Sequence, residues 1–254
     1  MNRFDINACF GHWPCWDLYH KSADDLLRLM DRNAIEQAVC ISLRGMFIDW
    51  RRGNDETLAA ARAHPDRLLP AATISPFLGG NGHELHRLID AGVRMVRLYP
   101  AFHSYGLNDA FVDDICATAS ERRIPVMIPT RPMMNWRFAT VPIESIGAVA
   151  ERHPNTSIIL SGPNYLIEYQ AAVRVMRRCE NVRFELSCLQ GFGSVANMVR
   201  DVGADRILFG TGALLHYPAC NVAKLDHAAI TEDQRAMIAS RNAERLLNPS
   251  AGGE

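Results

Sequence analysis

The residues of this chain that could do chemistry sit at the ends of short apolar runs. Asn7, Cys9 and His12 come first, within Asp5-Ile-Asn-Ala-Cys-Phe-Gly-His12. A thiol three residues from an imidazole has the types needed for a nucleophile and its base, if the base lowers the thiol pKa. Tyr99 and His216 add two further acid–base groups. Arg97 and Arg131, with Arg44, offer planar forks for a carboxylate or phosphate. Trp13 and Trp16 offer flat apolar faces for a ring. Asn7, Ser161 and Thr211 complete the set as hydrogen-bonding groups. The combination suits a small anionic substrate, aromatic or cyclic in part.

Plainer readings stand beside these. Arg97 could pair with a buried carboxylate such as Glu185, because buried charges need partners. Trp13 and Trp16 could plug the top of the fold. Cys9 could be a small packed residue. Ser161 and Thr211 could be strand-end hydrogen bonders, and His216 a loop residue. His64 and His153, each before proline, read as structural helix ends.

Eight apolar runs must position these groups: Phe4–Ala8, Gln37–Ser42, Leu69–Ile74, Met95–Tyr99, Val126–Thr130, Ser157–Ser161, Val182–Ser187 and Arg206–Thr211. Most are apolar on both faces, as buried parallel strands are. Amphipathic stretches with helix-start and helix-stop signals lie between them. Ser22-Ala-Asp-Asp25 reads as a capping-box variant and Thr231-Glu-Asp-Gln234 as a helix start. Eight strand–helix units without a GxGxxG after the first strand predict a single-domain (β/α)8 TIM barrel over residues 1–248, with a frayed tail from 249 to 254. Active sites of such barrels lie at the strand C-termini, where the polar residues above fall.

Composition narrows the partners. The formal charge of −1 leaves no basic excess to grip a phosphate backbone, so nucleic acid is not expected. No apolar run approaches the ~20 residues of a membrane span. No signal-peptide core precedes the first strand, which predicts a cytoplasmic protein. The seven cysteines are odd in number and lack CxxC spacing, which fits reduced thiols.

Several segments together resemble the amidohydrolase superfamily, in its amidohydrolase-related (family 2) branch. They are Phe4-Asp-Ile-Asn-Ala-Cys-Phe-Gly11, Ala63-His-Pro-Asp-Arg67, Ala91-Gly-Val-Arg-Met-Val-Arg-Leu-Tyr-Pro100, Glu151-Arg-His-Pro-Asn155, Gly203-Ala-Asp-Arg-Ile-Leu-Phe-Gly-Thr211 and Asn242-Ala-Glu-Arg-Leu-Leu247. That branch includes aromatic-acid decarboxylases, lactonases and hydratases. The resemblance implies a divalent metal held by two histidines of the first strand, one each of the fifth and sixth, and an aspartate of the eighth. Those positions align with Asn7, Cys9, Pro129, Gly162 and Gly212. None keeps its ligand, so no metal and no other cofactor is expected.

Three functions follow. The first is a metal-independent enzyme of hydrolase, lyase or isomerase type, with His12, Cys9, Tyr99 and His216 as acid–base groups. The second is an inactive homologue that binds a ligand or pairs with an active enzyme. The third is a hydrolase with unusual metal ligands, drawn from His12, His103 and His216. The resemblance also implies pairing through outer helices, as a homodimer or with an active homologue. Met133, Met134 and Trp136 are expected to form a lid or a subunit contact.

Overall fold

The computed structural model of the chain describes residues 1–133, 138–164 and 166–248. Met134, Trp136 and the tail 249–254 lie outside the described residues. The fold is the expected (β/α)8 barrel. Its strands are β1 (Phe4–Phe10), β2 (Gln37–Ser42), β3 (Leu68–Thr73), β4 (Met95–Arg97), β5 (Val126–Pro129), β6 (Ile158–Ser161), β7 (Val182–Glu185) and β8 (Ile207–Leu208). They pair in parallel and in sequence order.

The described helices are α1 (Ala23–Arg32), α2 (Leu43–Phe47), α3 (Trp50–Ala63), α4 (Gly82–Asp90), α5 (Pro100–His103), α6 (Ala110–Glu121), α7 (Ile143–Arg152), α8 (Ile167–Arg178), α9 (Ser194–Val202), α10 (Pro218–Asp226), α11 (Glu232–Ala236) and α12 (Asn242–Leu247). Both expected caps form. The Ser22 hydroxyl accepts from the Asp25 amide while the Asp25 carboxylate accepts from the Ser22 amide. Thr231 and Gln234 repeat the arrangement at α11. Three helices lie where no helix was expected: α2, α5 and α10. The helix that starts at Thr231 is interrupted by a wide turn at Met237–Arg241 before it resumes as α12.

Two apolar layers follow from strand alternation. Phe4, Ile6, Val39, Ile41, Met95, Met127, Ile159 and Leu208 fill the barrel. Ala8, Cys40, Val96, Ile128, Leu160 and Phe184 face the helices. β1 changes phase between them. Its register with β2 slips between Asp5 and Ala8. This bulge lets Ile6 fill the barrel and still turns Asn7 and Cys9 toward the upper end.

The first and last strands are latched by Asp5. Its buried carboxylate accepts from the Asn7 amide at 2.8 Å, the Thr211 amide at 3.0 Å and the Thr211 hydroxyl. Backbone bonds from Ile6 to Phe209 and from Gly212 to Asn7 continue the seam. At the other side, α2 and α3 cross closely. A Cβ on Gly53 would collide with the Gly45 backbone.

Two measurements test these contacts. Gly53→Ala gains helix propensity, which alone would stabilise by about 1 kcal/mol. The collision reverses the sign, and urea unfolding should show a loss of about 1–3 kcal/mol. Asp5 carries a pH signature. Burial raises its pKa to about 6, against the bonds to Thr211 and Asn7. Between about pH 4 and the folded value, the native state keeps a proton that the unfolded chain releases. Its contribution to stability is therefore full below about pH 4 and is lost as pH rises through 6. Asp5→Asn should remove that slope from the unfolding midpoint between acid and neutral pH.

Candidate functional site

Arg97, on β4, is the largest fully buried side chain of the chain. Its Nη1 donates to Asn7 Oδ1 at 3.0 Å and the Ala8 carbonyl at 3.1 Å. Its Nη2 donates to the Ile6 carbonyl at 3.2 Å and the Val39 carbonyl at 2.9 Å. The guanidinium thus ties together β1, β2 and β4. Its Nε–H is buried and has no partner among the described residues.

Glu185, on β7, is the matching buried carboxylate. It accepts from Asn7 Nδ2 at 3.0 Å, Ser161 Oγ at 2.5 Å, and the Ser187 amide and hydroxyl at 2.5 and 2.8 Å. Asn7 therefore stands between cation and anion. Its oxygen faces the guanidinium and its nitrogen the carboxylate, which fixes the amide orientation. An aspartate at this position would set two carboxylates against each other. A direct Arg97–Glu185 pair, the plainer reading of Arg97, does not form; Asn7 bonds to both instead.

Above this network lies a cavity of about 20 Å³, room for a single water molecule. Asn7, Cys9, Arg97, Tyr99, Arg131 and Ser161 contribute to its wall. Trp13 is buried near it and packs edge-to-face on Trp16, Phe47 and Phe138, at centroid distances of 5.2, 5.0 and 5.9 Å. Phe102 extends the cluster through Phe47. Trp16 remains 43% exposed. The indole Nε1 of Trp13 and the hydroxyl of Thr130 are buried without partners among the described residues.

The acid–base candidates are distributed unevenly. Burial pushes the Cys9 thiol up to about 11, although the Arg97 charge opposes it. Burial also raises Tyr99 to about 12. Both are neutral at physiological pH. His12 is exposed on its loop, and no hydrogen bond joins it to Cys9 among the described residues. His216 differs. Burial lowers its pKa, with Glu185 opposing, so the neutral imidazole prevails. Its ring occupies the space above Gly212. A Cβ there would lie 2.5 Å from His216 Nδ1, and Gly212 adopts a left-handed φ of +69°.

Other expected residues are tied elsewhere. Arg44 pairs with Glu56 at 2.6 Å. Arg131 lines the cavity and also pairs with Glu168. His103 Nε2 lies 3.1–3.2 Å from the Gly45 and Met46 carbonyls and braces α2. The Thr211 hydroxyl belongs to the Asp5 latch. One group escaped sequence reading. Lys224 of α10 is half-buried, donates to the Leu186 carbonyl and Asn221, and is lowered to about 8 by desolvation, with the Glu185 charge opposing. Nothing in the sequence marked α10 as part of this region.

The five positions at which the resemblance implies metal ligands do converge: Asn7, Cys9, Pro129 and Gly212 line the cavity, and Gly162 follows Ser161. Their chemistry does not fit a divalent cation. The amide of Asn7 is engaged by Arg97 and Glu185, the Cys9 thiol stays protonated, and a guanidinium lies beside both. Among the described residues no three His, Cys, Asp or Glu side chains form a metal-holding group. No described helix is long and apolar enough to cross a membrane.

Comparison with known proteins agrees with the fold. An amidohydrolase family model matches residues 17–248. No curated protein matches the sequence. An uncharacterized TIM-barrel protein from Bordetella bronchiseptica superposes with a TM-score of 0.76 at 20% identity, over 99% of this chain and 100% of the other. The 2,6-dihydroxybenzoate decarboxylase from Rhizobium gives 0.75 at 18% identity, over 98% and 99%. A dihydroxybenzoic acid decarboxylase from Polaromonas, with bound manganese and the inhibitor 2-nitroresorcinol, gives 0.72 at 17% identity, over 98% of each chain. At these identities the likeness is one of fold.

The relay makes a testable demand. Arg97→Met should leave Glu185 and Asn7 uncompensated in the barrel and cost about 3–5 kcal/mol in urea unfolding. A loss under 1 kcal/mol would mean that the network does not hold the barrel.

Proposed function

The chain belongs to the amidohydrolase family, and we propose that it is a metal-independent enzyme of that family, acting on a small carboxylate by proton transfer. The observation that carries this reading is the placement of His216. The family resemblance implies a catalytic aspartate at position 212. Here the residue is glycine, and a neutral imidazole from four residues downstream fills the vacated space. A titratable group has been returned to the position that lost one. A neutral imidazole accepts a proton, so His216 is the general base.

The surrounding donors suit an anion. Arg97 Nε–H, with Arg131 and Tyr99 in the same wall, offers charge-assisted bonds to a carboxylate. Arg97 gives one bond rather than a fork, because its other donors hold the barrel wall. The aromatic cluster of Trp13, Phe47 and Phe102 suits a ring. The decarboxylases among the structural neighbours support a carboxylated ring as the substrate class. Lyase- or isomerase-type chemistry is the best match, because positioning and proton transfer need no metal there.

A second reading rests on the cavity itself. About 20 Å³ is far below the ~300 Å³ of a typical ligand pocket. Substrate entry requires that cavity to widen, with Trp13, which shares an apolar cluster with the lining residues Cys9, Met46 and Tyr99, moving aside. A mouth that stays shut would make the chain an inactive homologue, acting as a partner subunit or through another surface.

The two readings separate in one experiment. Hydroxybenzoates and small cyclic carboxylates are screened by ligand-observed NMR in D₂O against the native chain and Trp13→Ala. The enzyme reading expects binding, followed by exchange of a ligand C–H for deuterium, the proton passing to His216 and a solvent deuteron returning to the carbon. The rate should rise with pH along an acid limb below the usual histidine range, because the base form appears above a lowered pKa. His216→Asn should reduce it about 10²–10⁴-fold. Binding to neither protein supports the inactive reading. Activity that tracks stoichiometric bound metal would overturn metal independence.

A further inference from the structure

The N-terminal end of the barrel, opposite the mouth, holds a second feature. A cleft of about 360 Å³ opens beside Pro125 and Ser157, which precede β5 and β6. Arg123, Arg183, Asp205, Asn242 and Arg245 also line it. We propose that this cleft binds a small polyvalent oxyanion, a phosphate ester or a polycarboxylate, through Arg123, Arg183 and Arg245.

Three separate elements deliver these guanidinium groups. Arg123 lies in the turn between α6 and β5, in a left-handed conformation with φ of +53°. Arg183 lies on β7 two residues before Glu185, so strand alternation turns both toward the barrel interior, at opposite ends. Arg245 lies on α12. Chain-distant arginines that converge on one concavity are the usual makings of an anion site.

Among the described residues no ion pair neutralises their charge. Many arginines of the chain are ion-paired, among them Arg67, Arg87, Arg122, Arg152 and Arg178. Among the described residues, Arg123, Arg183 and Arg245 have no carboxylate within ion-pair distance. The Nη1 of Arg183 donates only to the backbone carbonyls of Glu180 and Val182. Burial holds the Arg183 pKa below its ordinary value, and the nearby charges of Arg206 and Arg245 push it the same way. Asp205 alone among the lining carboxylates opposes them. Three guanidinium groups against one carboxylate, in a chain whose net charge is −1, form a local surplus. An oxyanion would relieve the mutual repulsion, and a fork of two N–H groups matches two of its oxygens. The floor is fixed. Asn242 is buried and its Nδ2 donates to the Ala204 and Ile207 carbonyls, each at 2.8 Å. The volume lies at the lower end of small-molecule pockets, about 300–1,000 Å³. The site is independent of the chemistry proposed at the mouth.

Isothermal titration of the full chain with pyrophosphate and, separately, citrate tests the proposal, with ionic strength held constant. The expected result is saturable one-to-one binding. Tighter binding of pyrophosphate assigns a phosphate ligand, and tighter binding of citrate a polycarboxylate. Arg123 and Arg245 are exposed, so R123Q/R245Q should fold normally and bind roughly tenfold more weakly or worse. His216→Asn should leave the affinity unchanged. Absence of saturable binding at millimolar anion would overturn the site. So would an affinity that R123Q/R245Q leaves intact, or one that His216→Asn abolishes.

Discussion

A buried guanidinium and a buried carboxylate share the centre of this barrel, and the energetics of that pair shape what surrounds them. Removing either charge from water costs several kcal/mol unless its lone pairs and protons are met. Arg97 meets the cost with one side-chain and three backbone acceptors, Glu185 with four donors. Asn7 belongs to both sets. Its neutral amide presents acceptor to cation and donor to anion, a role that neither a carboxylate nor an aliphatic side chain can fill. The bulge in β1 is the backbone device that lets Asn7 reach this point while Ile6 fills the barrel below.

The rest of the mouth is ordered around that network. Asn7, Cys9, Pro129 and Gly212 line the space above it, and the barrel wall closes to about 20 Å³. Burial near Arg97 holds Cys9 and Tyr99 in their neutral forms despite the nearby positive charge. Desolvation outweighs a Coulombic term that acts through a guanidinium already engaged by carbonyls. The same desolvation acts on His216 with the opposite consequence. It disfavours imidazolium, so it leaves the histidine as a base. One physical effect thus keeps the thiol and the phenol protonated and the imidazole neutral.

Some of this was legible in the sequence. The eight apolar runs and their helix caps marked the barrel, because burial on both strand faces and side-chain capping are local properties. Strand starts were read within about one residue, whereas several ends were read too long. Tyr99, for instance, leaves β4 and becomes the residue before α5. The short helices α2 and α5 escaped because five and four residues carry little periodicity. Arg97 and Glu185 could be named as partners from their inward positions. The relay through Asn7 could not, since it depends on a phase slip in β1 that no alternation pattern reveals. Lys224 sat in a helix with no expected place at the mouth.

By itself, the sequence determined the architecture and which residue types stand at the strand ends. Strand alternation fixes which residues face inward, and side-chain identity fixes which of them can donate electrons to a cation. Only the tertiary structure decided what the remaining polar groups do. It joined Asn7 to Arg97 and Glu185 across 90 and 178 residues of chain. It assigned Thr211 to the closing seam, exposed His12, and laid His216 over Gly212. The physical reason is the same in each case. Hydrogen bonds and desolvation depend on distances of a few ångströms between chain-distant atoms, and those distances exist only once the barrel has closed.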